Sequence, residues 1–211
     1  RRFGVAYVTA EASYSRRRNL GQWARSQAEV LEAVRLAAVN FCFTARDRQG
    51  LEQAAPEAHF AALAPFLDTA PFADITPRPR PGHLVAVAMM RPGDKTASFT
   101  MLAEALARIV DEDWTLSIVG DGKMRAELEQ QFASFGPGRV RFHGERSAAE
   151  IAGFLGESAL YVWTGCGEAY GLAYLEAQAA GVPVVAQATG GVPEVVRHGV
   201  TGFLTPEGDV V

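Results

Sequence analysis

The chain has 211 residues, of which 48% are hydrophobic and 21% are charged, a composition typical of a globular protein with a substantial core. Its net charge of -4 gives no electrostatic reason to expect nucleic acid as a main partner. No apolar run reaches the roughly 18 residues that a membrane-spanning helix needs. The cysteines, Cys42 and Cys166, do not make a disulfide framework, so we expect a cytoplasmic protein.

The first 81 residues predict a short α/β region followed by a linker. Residues 3–9 read as a strand, and the three arginines at 16–18 indicate a solvated turn. Apolar residues recur at three- and four-residue steps from 20 to 39, which predicts an amphipathic helix capped by Asn19. A strand at 40–44 and a helix at 45–54 follow. Prolines cluster between residues 71 and 81, which argues against helix and central strand, so we predict domains at 1–81 and 82–211.

Beyond residue 82 the pattern alternates regularly between strand and helix. Strands are predicted at 83–89, 114–119, 139–142, 160–163 and 182–186, and 202–204 resembles a hairpin. Helices are predicted at 96–110, 123–132, 147–155 with Ser147 as its cap, 172–180 and 192–197. Short connections between such elements are typical of parallel βαβ units. We therefore predict an α/β fold with a Rossmann-like, doubly wound parallel sheet, preceded by a partial α/β segment.

Ligands of an open α/β sheet bind where the strands end, so the residues that follow each predicted strand are site candidates. Arg91 and Lys95 follow the first strand, and Gly120 and Gly122 follow the second. Cations and glycines on one rim suggest a ligand that carries a diphosphate, although Arg91 and Lys95 could also be surface charges. The dinucleotide fingerprint G-x-G-x-x-G fails because Arg125 stands where the third glycine belongs, so hydride transfer is poorly supported.

Two carboxylates stand eight positions apart in the stretch 167–192, at Glu168 and Glu176. Glycines place Glu168 in a loop and Glu176 in the helix that follows, so we predict separate hydrogen-bonding roles rather than a shared proton. Alternatively, Glu168 caps the helix and Glu176 lies on a solvated face. The amides of Gly171 and Leu172 at the helix start can donate to phosphate. Cys166 lacks a nearby histidine partner, and no metal-ligand spacing occurs, so we predict neither a nucleophile nor a metal site.

Three motifs in this order resemble the group-1 glycosyltransferases. They are Glu-x7-Glu at 168–176, Ala-Gly-Val-Pro-Val-Val at 180–185, and Gly-Gly-Val-Pro-Glu at 190–194. The resemblance runs from about residue 83 to 209. It implies a retaining enzyme with the two-domain GT-B fold that uses a nucleotide-diphosphate sugar as donor and needs no metal or other cofactor.

The resemblance also implies roles for individual residues. Glu168 would lie beside the donor sugar, and Arg91 and Lys95 would bind its diphosphate, which makes these three the expected catalytic residues. Glu176 would bind the ribose hydroxyls. Further expected donor contacts are Gly120, Gly122, Tyr170, Gly171 and Leu172. Trp163 and Thr164 stand where many members of the family carry Pro-Ser.

Departures from the family pattern concern the acceptor side. The family's N-terminal domain is roughly twice as long as residues 1–81, and its terminal crossover helix has no counterpart before Val211. The resemblance therefore implies a piece of an enzyme that binds donor and transfers nothing alone. The acceptor stays open, as a glycan, a lipid or a small molecule, and the whole enzyme is expected to associate peripherally with membranes. Two alternatives remain: a non-catalytic nucleotide-sugar-binding module, and a nucleotide-sugar epimerase of the same architecture.

Overall fold

A computed structural model describes residues 4–10 and 12–209. Residue 3 of the strand predicted at 3–9 lies outside these ranges, and within them the strand begins only at Val8. The chain divides into two compact units, Arg1–Pro65 and Phe66–Val211. The domain boundary predicted between residues 81 and 82 stays a prediction. No helix in the described parts of the chain is long and apolar enough to cross a bilayer.

The smaller unit is a parallel sheet with helical connections. Its elements are β1 (Val8–Ala10), α1 (Ala24–Leu36), β2 (Val39–Cys42), α2 (Ala45–Ala54) and β3 (Phe60–Ala62), with strand order β1-β2-β3. Asn40 is fully buried, and its amide Nδ2 donates to the carbonyls of Val34 and His59, which fixes β2 against α1. The prediction of Asn19 as a helix cap is wrong, because Asn19 ends a 3-10 turn and α1 begins after Trp23.

The larger unit contains an all-parallel sheet. Its strands within the described residues are β4 (Arg80–Val87), β5 (Thr115–Val119), β6 (Val140–Phe142), β7 (Ser158–Val162), β8 (Val184–Gln187) and β9 (Gly202–Thr205). Their order is β6-β5-β4-β7-β8-β9, so the direction of winding reverses between β4 and β7. This is the doubly wound arrangement, whose ligand crevice opens at the reversal.

Two details of this sheet correct the sequence predictions. The segment at 202–204 is not a hairpin, because β9 pairs in parallel with β8. Pro81 lies inside β4, which is a central strand between β5 and β7. The proline is tolerated because β4 pairs with β5 only from His83 onwards and its register against β7 shifts between Arg80 and Leu84.

The helices of the larger unit follow the predicted order with shifted ends. They are α3 (Asp94–Arg108), α4 (Arg125–Phe132), α5 (Ala148–Gly156), α6 (Leu172–Ala179) and α7 (Val192–Val195). The Ser147 cap of α5 is confirmed, and Glu150 completes a capping box. The core lies on both faces of β4, β5 and β7, where Val85, Ile118 and Tyr161 are fully buried.

Candidate functional site

Two of the predicted site residues meet at the switch point of the larger sheet. Lys95 lies in the first turn of α3, after β4, and Glu168 lies in the loop between β7 and α6. Lys95 Nζ stands 2.6 Å from Glu168 Oε2, and the two side chains are only 15% and 16% exposed. A charge-assisted hydrogen bond of this length in a partly desolvated place holds both side chains in fixed positions.

A cavity of about 170 Å³ opens beside this ion pair. Its lining includes Lys95, Trp163, Glu168, Gly171, Leu172 and Tyr174. The Lys95 ammonium also lies 5.5 Å from the centroid of the buried Trp163 ring, within the range of a cation–π contact. The cavity therefore combines one cation, one carboxylate and apolar walls at the end of the central strands.

A buried serine joins the two loops that carry the ion pair. Ser98 in α3 donates its hydroxyl to the carbonyl of Asp94 and accepts the amide of Cys166. Its own carbonyl accepts the hydroxyl of Thr164 at 2.8 Å. Because Ser98 is fully buried, these hydrogen bonds fix the loop after β7 against the first turn of α3.

The N-terminus of α6 faces the cavity through Gly171 and Leu172. Gly171 has a φ of 75°, and a Cβ on it would collide with the Tyr174 ring, so only glycine fits there. No acceptor occurs within the described ranges for the amides of Leu172 and Ala173, and no side chain caps the helix. These amides and the helix dipole can bind an anion that enters the cavity.

Gly190 brings the loop after β8 against the loop that carries Glu168. Gly190 has a φ of 57°, and a Cβ on it would stand 2.0 Å from the carbonyl oxygen of Glu168. The amide of Gly191 donates to the carbonyl of Ala169. This close contact of backbones explains the double glycine of the sequence motif as a support for the Glu168 loop.

Glu176 has a different environment from Glu168. It lies in the second turn of α6 and is half-buried, and its carboxylate has no hydrogen-bond or ion-pair partner in the parts of the chain that the structure describes. Burial raises the pKa of this carboxyl above its ordinary value of 4.5. An unpartnered, partly buried carboxylate is available to accept hydrogen bonds from a ligand.

Glu176 does not line the cavity, and neither do the remaining predicted site residues. Arg91 is exposed, and its backbone carbonyl accepts the hydroxyl of Thr96. Gly120 and Gly122 allow close backbone packing, because a Cβ on Gly120 would collide with the carbonyl of Ala88 and a Cβ on Gly122 with that of Met90. Tyr170 is partly buried and packs against the main core of the unit.

The sequence did not predict Ser98 or Tyr174 as site residues, and it did not predict the contact between Trp163 and Lys95. The phenols of Tyr161 and Tyr174 donate to the carbonyls of Val87 and Trp163, and burial raises the pKa of both phenols. They support the ends of β4 and β7 as neutral hydrogen-bond donors. The only available signal was the position of these polar and aromatic residues next to the strand ends.

Other features of the larger unit carry less chemistry. Among the described residues, no group of three or more His, Cys, Asp or Glu side chains could hold a metal ion. Cys166 is a free thiol whose backbone amide is bound by Ser98. A larger, apolar groove of about 420 Å³ lies along β4, β7 and β8 beside α3, lined by residues such as Leu84, Val162 and Val185.

Fold and site together define an α/β domain that presents a paired cation and carboxylate at the switch point of a doubly wound sheet, beside helix amides that have no acceptor in the described part of the chain. The family model described as glycosyl transferases group 1 matches residues 81–211. Because this match covers more than half of the chain, the chain belongs to the group-1 glycosyltransferases. The resemblance predicted for residues 83–209 is confirmed.

Relatives of known name also match parts of the chain. It is 38% identical to the N-acetyl-alpha-D-glucosaminyl L-malate synthase of Bacillus anthracis over 110 residues, which are 51% of this chain and 28% of that protein. It is 45% identical to the D-inositol 3-phosphate glycosyltransferase of Streptomyces griseus subsp. griseus over 65 residues, which are 31% of this chain and 14% of that protein.

Solved structures of GT-B glycosyltransferases share the fold. HepE of Anabaena, in complex with UDP and glucose, matches with a TM-score of 0.75 at 23% identity over 97% of this chain and 59% of that one. Sucrose-phosphate synthase of Thermosynechococcus elongatus matches with a TM-score of 0.78 at 19% identity over 99% of this chain and 57% of that one. The predicted fold class is confirmed, and the chain spans less than two thirds of the length of these relatives.

Proposed function

We propose that the larger unit binds the donor of a retaining glycosyltransferase, a nucleotide-diphosphate sugar. The observation that carries this proposal is the Lys95–Glu168 pair, at 2.6 Å, beside the first amides of α6, which have no acceptor among the described residues. A cation and helix amides suit a diphosphate, and a carboxylate suits sugar hydroxyls. The UDP and UDP-glucose complexes of Anabaena HepE support this ligand class by analogy.

In this proposal the residues of the cavity act on different parts of the donor. Lys95 and the amides of Leu172 and Ala173 stabilise the negative charge that develops on the leaving diphosphate. Glu168 positions the sugar and stabilises its positive charge as the glycosidic bond breaks. Because retention leaves the new bond on the same face of the sugar, the product keeps the donor's anomeric configuration, which NMR of the product measures.

Glu176 binds the hydroxyls of the ribose in the same proposal. Its carboxylate is half-buried and has no partner within the described ranges, so hydroxyl donors would relieve an unfavourable state. The exposed Arg91 reaches the diphosphate from outside the cavity. Gly120 and Gly122 do not contact the donor in this proposal. They let the loop after β5 lie against the end of β4, near the position expected for the base.

We further propose that this polypeptide binds donor without transferring sugar by itself, since it spans only 59% and 57% of the length of the two solved glycosyltransferases compared above. A transfer assay with full-length rates would overturn that part alone. We also propose that the acceptor of the transfer reaction is a glycan, a lipid or a small molecule, and that the enzyme associates peripherally with membranes.

Calorimetric titration of the 211-residue chain with UDP, GDP and ADP tests the donor-binding proposal. We expect one of the three to bind, and Lys95→Met to weaken it about tenfold or more, because a charge-assisted contact is lost. Arg197→Met removes one exposed cation after α7, at the opposite edge of the sheet, and should leave binding unchanged. Absence of binding by all three nucleotides at millimolar concentration would remove the basis of the proposal.

A further inference from the structure

Two contacts of different kinds fix the Lys95 side chain. One is the ion pair with Glu168 Oε2 at 2.6 Å, and the other is the face of the Trp163 ring at 5.5 Å. The ring is itself immobile, because it is 2% exposed and meets Phe99 edge to face with centroids 4.8 Å apart. An ammonium this close to an indole face is attracted by the ring quadrupole, and indole is the strongest of the aromatic partners.

The two contacts respond differently to an incoming anion. A diphosphate beside Lys95 is repelled by the Glu168 carboxylate, so the two anions compete for one ammonium. The indole carries no charge and does not compete. When the anionic partner of Lys95 changes, the ring contact is the one that persists.

The indole N–H does not explain why a tryptophan occupies this position. Trp163 Nε1 is buried and has no hydrogen-bond partner among the described residues, which is unfavourable for a polar group. The ring face contacts Lys95, whereas the N–H makes no hydrogen bond within the described ranges that an aliphatic side chain would lose. The ring face is therefore the part of this side chain that serves the site.

We propose that Trp163 is a positioning residue that holds the Lys95 ammonium in the cavity while a nucleoside diphosphate replaces Glu168 as its partner. The inference rests on the proposed function, because Lys95 must bind the diphosphate for the ring to matter. A lysine side chain on its flexible stem loses much rotamer freedom when it binds. A ring that already restricts the ammonium lowers this cost, so affinity for diphosphate rises without any new contact to the ligand.

Fluorinated tryptophan tests this without disturbing the fold. Biosynthetic replacement by 5-fluoro-, 5,7-difluoro- and 5,6,7-trifluorotryptophan withdraws charge from the ring face and barely alters the ring's shape. The probes are whichever of UDP, GDP and ADP binds tightest, and its parent nucleoside. We expect affinity for the diphosphate to fall stepwise, by about three- to tenfold across the series, with nucleoside affinity unchanged.

Three controls separate the possible causes. In Lys95→Met the series should leave diphosphate affinity constant, because the cation is gone. In Trp163→Phe, where only Trp23 and Trp114 are fluorinated, affinity should also stay constant. Circular dichroism and urea unfolding should be alike across each series.

The outcomes distinguish the inference from the proposed function. If Lys95→Met weakens diphosphate binding but fluorination does not, Trp163 is a core residue and the inference is wrong while the proposed function stands. The inference is also wrong, and the proposed function stands, if fluorination weakens diphosphate binding as much in Lys95→Met as in the parent protein. If Lys95→Met itself leaves diphosphate binding intact, both the role of Lys95 in the proposed function and the inference are overturned.

Discussion

The loop before α6 and the second turn of α6 each carry a glutamate, and the two carboxylates have opposite surroundings. Glu168 is paired with Lys95, and its backbone lies against Gly190. Glu176 is half-buried without a partner among the described residues, and burial raises the pKa of its carboxyl. One acid is satisfied before any ligand arrives, whereas the other is not.

The different surroundings of Glu168 and Glu176 predict which part of a donor contributes most to the free energy of binding. At Glu168 a ligand exchanges partners with an existing ion pair, so the net gain in free energy is small. At Glu176 new hydrogen bonds satisfy a carboxylate whose desolvation has already been imposed by the fold. We therefore expect the Glu176 end of the site to dominate affinity and the Glu168 end to govern how the diphosphate and sugar are placed.

The largest effect is expected where the backbone supports the loop that carries Glu168. Gly190→Ala places a Cβ against the carbonyl of Glu168 at a φ of 57°, so we expect it to cost about 2–4 kcal/mol of the free energy of unfolding. Gly199→Ala is the matched control, because its φ is 73° but no atom lies within 4 Å of the new Cβ. It should cost about 1 kcal/mol. Equal losses in urea unfolding would contradict this account.

The next effect concerns the unpaired acid. Glu176→Ala should weaken binding of the nucleoside diphosphate by about 1–3 kcal/mol, because the ribose loses its acceptor. Calorimetry with the 2′,3′-dideoxy analogue sharpens the measurement, since both proteins should bind that analogue alike. Glu104→Ala, an exposed carboxylate on α3, is the control and should bind like the parent protein. A variant at position 176 that still discriminates the analogue would refute the assignment.

A smaller effect of opposite sign is expected at the paired acid. Glu168→Gln removes a carboxylate that competes for Lys95, so the nucleoside diphosphate should bind about three- to tenfold tighter, which calorimetry measures. The nucleotide sugar should gain less, because it also loses a contact to its sugar. A weaker affinity for the diphosphate would show that Glu168 does not compete with it.

The smallest expected effect is the pH dependence that Glu176 gives to the free energy of unfolding. Because burial raises the pKa of Glu176, its favourable contribution is complete below the ordinary value of 4.5 and is lost as pH rises through the higher folded value. Glu176→Gln should therefore have a free energy of unfolding that grows relative to the parent protein as pH rises from 4 to 8. Urea unfolding across this range measures it, and a constant difference would contradict the environment described for Glu176.

Local patterns predicted the elements that local physics decides. The place of Ser147 before an apolar run predicts the cap that the structure has, and the glycines near Glu168 predict the boundary between the loop and α6. The start of α1 was predicted too early because Leu20 and Trp23 fit the helical period, although they are 77% and 59% exposed. Periodicity identifies a face but not whether another element covers it.

Features that depend on contacts between residues distant in sequence were predicted less well. The strand-end rule placed Lys95 and Glu168 on one rim, but their direct contact depends on the hydrogen bonds of Ser98, which no short pattern reveals. Glycines indicate turns locally and so predict a hairpin at 202–204, whereas the strand found there pairs with β8, which lies beyond a helix. Gly120 and Gly122 looked like ligand contacts because sequence does not show which backbone passes close by.

The strand order also determines when the site can form during folding. Side chains of β4 and β5 meet across a separation of 32 residues, as in the His83–Thr115 hydrogen bond, whereas Lys95 and Glu168 are 73 residues apart. Closing the longer loop costs more chain entropy, and β7 reaches β4 only after the crossover from β6 at the far edge of the sheet. The cavity is thus expected to be among the last parts of the unit to form. The recovery of nucleotide binding during refolding should therefore report when the sheet is complete.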